Sequence, residues 1–209
     1  MERLDKVNQA GLFLRIRCLE PPKYMERYFL LSAAPVLMGV KPSALICFRH
    51  CCKDAWRDQE KHVFERTGLC VKELYQNKKT FGLLVYDEAL LNERLKIAEA
   101  KKLLCRYGYK GESNLSELLE HLKGRFDGAQ FPHEIGVFLG YPPEDVDAFI
   151  RNRGKDYLCC RYWKVYHDEQ NARKTFGFID QARGCAIDLI TRQTPVWEAA
   201  KILAGTQTG

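Results

Sequence analysis

A histidine beside a carboxylate can move protons near neutral pH. One such pair is His133-Glu134, inside Phe131-Pro132-His133-Glu134-Ile135-Gly136. The two could serve as acid and base. They do not extend to a zinc-protease helix, because His-Glu-x-x-His would need a second histidine where Val137 stands. The plainer reading is an exposed first-turn histidine, with Glu134 favouring the positive end of a helix.

Thiols are the second candidate chemistry. Cys51-Cys52 follows Cys47 by four residues and His50 by one. Cys47, His50, Cys51 and Cys52 could form a local half-site for a soft metal, closed by Cys159 or Cys160. The spacing matches no Cys-x2-Cys pair, and adjacent strand residues such as Cys159 and Cys160 face opposite ways. Buried small hydrophobes are the better-supported reading.

The third is an anion site. Residues 151–174 carry seven Lys/Arg against three acids, interleaved with Tyr157, Tyr162, Trp163 and Tyr166. In a continuous strand, Tyr162, Lys164 and Tyr166 would share one face. Such a face could stack a ring or hold a small anion. Lys41, in the turn Gly39-Val40-Lys41-Pro42-Ser43, could add a point charge, although neither spacing nor order there is that of a P-loop. No nucleophile elbow, dinucleotide fingerprint or Ser-x-x-Lys set occurs.

Composition narrows the partners. The 209 residues carry a net charge of +6, split 17 to 13 in the first hundred residues and 16 to 14 in the rest. That even spread argues against a nucleic-acid binder, which normally concentrates its cations. Residues 135–150 have a helix-turn-helix outline, but the second helix starts Pro142-Pro143-Glu144-Asp145, and acids there would repel phosphate. No apolar run reaches the ~18 residues of a membrane span. Nine cysteines, an odd number, and an N-terminus without a signal-peptide core point to free thiols in a reducing cytoplasm.

These groups must be positioned by local elements. Residues 23–34 read as a helix ending near Pro35, and 44–48 as a buried strand. Residues 53–67 read as a helix with Trp56, Val63 and Phe64 inward. Residues 70–75 and 81–86 form a hairpin whose second arm is apolar on both faces and therefore central. Asp87 caps one helix running to about Arg106. Asn114 and Glu117 form a capping box for the next helix. Short helices follow over 131–139 and from Pro142-Pro143 to Ile150. Residues 157–166 read as one strand, 167–181 and 195–203 as helices, and 205–209 as a tail. The expected fold class is α+β: a small mixed β-sheet of about four strands with six or seven surrounding helices. Residues 1–209 form a single domain, within which 113–152 could be a helical subdomain.

Three segments together carry a resemblance. They are Ala33-Ala34-Pro35 with Val40-Lys41-Pro42, then 131–146 from Phe131-Pro132-His133 to Glu144-Asp145-Val146, then Tyr162-Trp163-Lys164-Val165-Tyr166. On these the chain resembles an uncharacterised bacterial domain-of-unknown-function family, number 3793, found mainly in anaerobic Gram-positive bacteria. The resemblance spans most of the chain. It implies a cytosolic single-domain protein without assigned activity, so no catalytic residue carries over. Its polar positions coincide with Lys41, His133, Glu134, Lys164 and Tyr166, while the cysteine pairs lie outside it.

The leading expectation is a pocket for a small anionic ligand or cofactor of unknown identity. Lys41 and Lys164 would neutralise charge, His133 would hydrogen-bond or exchange a proton, and Tyr162 or Tyr166 would stack. The rivals are an enzyme using His133 and Glu134, a cysteine-based metal or redox module, and a protein-interaction module docking on 113–152.

Overall fold

The structure, a computed structural model, describes Ile16, residues 19–128 and residues 130–205. The expected tail beyond Gly205 and the expected inward side chain of Phe64 lie outside the described residues.

Helix α1 (Pro21–Leu37) opens on two prolines, whose missing N–H groups fall where a first turn has no acceptor anyway. It does not end at Pro35 as expected. A proline in the last turn removes a single ladder bond, and its carbonyl still accepts from Val40 N (2.8 Å) and Lys41 N (3.0 Å). Strand β1 (Ser43–Arg49), a 3-10 turn (His50–Cys52), α2 (Lys53–Thr67), β2 (Cys70–Gln76) and β3 (Thr80–Tyr86) follow.

The sheet order is β1-β3-β2, with β3 central and both pairings antiparallel. The sheet is therefore not mixed. Alternation along β3 sends Phe81, Leu83 and Val85 to one core and Leu84 to another. The first core joins that sheet face to α1, α2 and the C-terminal helices through Leu30, Phe48, Trp56 and Ala186. The second joins the opposite face to the central helices through Leu91, Leu103, Leu122 and Phe138. The helices within 113–152 share this second core with Leu74 and Leu84 of the sheet.

The single helix expected from Asp87 is two, α3 (Glu88–Lys96) and α4 (Ala98–Cys105), broken at Ile97 with ψ 134°. The reason is geometric. At about 100° per residue, an unbroken helix would put Ala100, Leu103 and Leu104 on the far side from Leu91 and Leu95. The break turns both stripes into one core. Helix α5 (Leu115–Arg125) begins at the expected capping box: Asn114 Oδ1 accepts from Glu117 N at 3.0 Å, and Glu117 Oε2 accepts from Asn114 N at 3.2 Å.

Helix α6 is only Ile135–Phe138, and α7 is Pro143–Arg151. The strand expected over 157–166 is instead a small antiparallel ribbon, β4 (Cys159–Cys160) and β5 (Lys164–Val165), turned at Arg161–Trp163. Tyr162 and Trp163 leave extended geometry because their rings pack on Phe176, at 5.6 and 4.5 Å between centroids. Helix α8 (Glu169–Thr191) runs ten residues past the expected end, since Ala182, Ala186 and Ile190 continue its buried stripe. Helix α9 (Val196–Gly205) completes the order. No helix among the described residues is long and apolar enough to cross a membrane.

Candidate functional site

A cavity of about 270 Å³ lies between α6, α7 and the β4–β5 ribbon. It is slightly smaller than the roughly 300 Å³ at which ligand pockets usually begin, so it suits a single-ring molecule. Gly136 and Val146 let α6 and α7 meet closely, since a Cβ at Gly136 would lie 2.7 Å from Val146 Cγ2. Gly140, with φ +80°, then turns the chain so that Tyr141 reaches the ribbon. Tyr141 stacks on Trp163 at 5.0 Å and 25°.

Three of the residues singled out in the sequence line this cavity: His133, Tyr162 and Lys164. His133 is exposed at the rim, its ring 5.8 Å from Phe131 and 5.1 Å from Phe149. Lys164 Nζ donates to the Gly154 carbonyl at 2.7 Å, just past the end of α7, and sits 4.9 Å from the Tyr157 ring. Tyr162 donates its hydroxyl to Asp180 Oδ1 at 2.6 Å. Burial first, then that carboxylate, pushes its pKa up to about 12, so it stays a neutral donor. Arg161 also lines the cavity and pairs with Asp180 Oδ2 at 2.7 Å.

Lys41 and Tyr166 do not line it. Lys41 Nζ lies 5.1 Å from the Tyr141 ring. Burial and the nearby Arg183 charge push its pKa down to about 8. Tyr166 contributes its backbone N–H to Asp145 Oδ1 at 2.8 Å, and its buried hydroxyl has no hydrogen-bond partner among the described residues.

His133 and Glu134 serve different environments. The Glu134 carboxylate is fully buried, accepting from Arg125 Nε at 2.8 Å, with the Tyr109 hydroxyl at 3.5 Å. It is absent from the cavity lining that holds His133. The cysteine cluster is also dispersed. Cys47 Sγ is 3.0 Å from the Tyr75 hydroxyl, His50 Nε2 is 3.0 Å from Gln76 Nε2, Cys51 is exposed and Cys52 is buried. Burial first, then Cys51, pushes the Cys52 thiol up to about 11, the opposite of a reactive thiolate. Among the described residues, no group of three or more His, Cys, Asp or Glu side chains could hold a metal ion.

Sequence reading missed the residue at the centre of this region. Asp145 is buried, although it reads as an ordinary first-turn acid. It accepts from Trp163 Nε1, from the backbone of Tyr166 and His167, and lies 3.3 Å from His167 Nδ1. The available signal was the indole: a tryptophan that packs inward needs an acceptor for its N–H. The arrangement as a whole can stack a planar ring and meet a negative substituent with Lys164 or Arg161.

A family model described as "Protein of unknown function (DUF3793)" matches residues 29–199. No curated protein and no solved structure matches the chain.

Proposed function

For a chain that belongs to the DUF3793 family, whose description assigns no activity, we propose that it binds a small planar ligand bearing an anionic group in the aromatic cavity. The observation that carries the reading is the common lining: His133, from the approach to α6, meets Tyr162 and Lys164 of the ribbon there, together with Trp163, Tyr141 and Phe149. The stacked Tyr141–Trp163 wall offers a flat apolar face. Lys164 is held in place by the Gly154 carbonyl and needs little reordering to meet a negative charge. His133, at the rim, adds a hydrogen bond. The protein works in a reducing cytoplasm, and none of its described cysteines is paired.

Benzoate, nicotinate and phenyl phosphate are suitable probes. In heteronuclear NMR, at least one should shift the Trp163 indole N–H saturably. The shift should weaken about tenfold in Lys164→Met, the loss of one charge-assisted contact. An indole signal unmoved by all three up to millimolar concentration refutes the reading, as does equal affinity in a folded Lys164→Met variant.

A further inference from the structure

A second cavity, of about 460 Å³, shares only Asp145 and Trp163 with the first and does not depend on the reading above. Its lining is mixed, and its polar part is Arg94 from α3, Glu144 from α7, and His167, Asp168, Asn171 and Thr175 around the start of α8. Arg94 is only partly engaged. One terminal nitrogen donates to the Gly140 carbonyl at 3.1 Å, Nε is buried without a partner, and no ion pair forms among the described residues. His167 is oriented rather than free. Its backbone N–H donates to Asp145 Oδ1 at 3.0 Å, and its Nδ1 lies 3.3 Å from the same oxygen. That contact assigns the proton to Nδ1 and leaves Nε2, on a half-exposed ring, with no partner among the described residues.

We propose that this cavity binds a small oxyanion, a phosphoryl or carboxylate group, between the Arg94 guanidinium and the His167 imidazolium. The planar guanidinium fork matches two oxygens of such a group. With one proton committed to Asp145, Nε2 donates to an anion only when the ring is charged, so binding takes up a proton. The carboxylates facing the cavity do not cancel the site equally. Asp145 is already met by Trp163 Nε1 and two backbone N–H groups, and Asp168 Oδ1 accepts from Asn171 N. Glu169, in the first turn of α8, is paired with Arg173. Burial lowers the Arg94 pKa, and Glu144 partly offsets this by favouring the charged form, without forming a salt bridge to it. Glu144 opposes a bound oxyanion, and the Arg94 and His167 charges must outweigh it.

Sulfate and acetate are the probes, with sodium chloride holding ionic strength constant. Sulfate keeps its charge across the working range, so any pH effect belongs to the protein. The side-chain resonances of His167 and Asn171 should shift saturably with at least one probe. Sulfate affinity should weaken at higher pH, because a neutral ring has no proton at Nε2 to donate. It should fall about tenfold in Arg94→Gln and in His167→Gln, the latter read from Asn171. His167 is exposed, so its variant decides the matter if Arg94→Gln fails to fold. The tighter probe identifies the ligand class. Unsaturated drift with both probes, or wild-type affinity in the folded His167→Gln variant, overturns the proposal.

Discussion

Asp145 Oδ2 accepts from Trp163 Nε1 at 2.9 Å, with both residues buried. The other oxygen takes the backbone N–H groups of Tyr166 and His167 at 2.8 and 3.0 Å. One side chain on α7 thereby anchors the end of the ribbon and the approach to α8. Both cavities use this joint as a wall.

Replacing Asp145 tests the joint. Asp145→Ala leaves the Trp163 indole, two backbone N–H groups and the His167 Nδ1–H without their acceptor and should cost about 3 to 5 kcal/mol. Urea unfolding measures the loss. Asp145→Asn keeps one carbonyl acceptor and should lose less. A cost under ~1 kcal/mol for the alanine variant would show that water replaces the carboxylate.

Lys41 makes stability depend on alkaline pH. Its pKa is about 8 in the folded chain, against an ordinary 10.5. Between those values the unfolded chain binds more protons, so stability rises with pH across that window. Below about pH 8 the folded state carries the full penalty of a charged, desolvated ammonium. Lys41→Met should therefore stabilise the protein near neutrality, by about 1 to 2 kcal/mol after allowing for solvent screening. It should also flatten the rise in thermal midpoint from pH ~8 to ~10. An unchanged slope in the variant would assign the effect elsewhere.

Gly140 answers two demands at once. Its φ of +80° lies in the left-handed region, and an added Cβ would stand 2.5 Å from Pro42 Cδ. Gly140→Ala should cost about 2 to 4 kcal/mol, from backbone strain plus the forced shift of a rigid ring. Gly111→Ala is the control, because among the described residues nothing lies within 4 Å of its added Cβ. Chemical denaturation of both variants separates the cases; equal stability would contradict the close approach.

Glu134 and His133 should part company on mutation. Arg125→Met removes the cation 2.8 Å from a carboxylate that is 1% exposed. Leaving that charge unpaired should cost about 3 kcal/mol. His133→Ala, at an exposed rim position, should change stability by less than about 0.5 kcal/mol. Calorimetry on the two variants checks the contrast, and a large loss in His133→Ala would mean that the ring is a packing element.

The central apolar strand Phe81–Tyr86, the Asn114–Glu117 box and the start of α7 at its paired prolines were legible because each rests on residues within a few positions of one another. The break at Ile97 was not read, although the phase of Leu91 and Leu95 conflicts with that of Ala100, Leu103 and Leu104. Nor was the ribbon. A run of aromatics from Tyr157 to Tyr166 has the composition of a strand, and only packing of Trp163 and Tyr162 against Phe176 turns it back.

The sequence by itself determined where the capped helices at Asp87, Asn114 and Pro143 begin, which strand lies at the centre and which residues carry charge, because caps, alternation and ionisation act over short distances along the chain. Tertiary structure alone decided that His133, Tyr162 and Lys164 line one cavity while Lys41 and Tyr166 lie outside it. It alone paired His167 with Asp145, 22 residues away, instead of His133 with its neighbour Glu134. Adjacent side chains at a turn are sent in different directions by the backbone. Distant ones meet only when apolar packing closes the loop between them, and no spacing in the chain records that closure.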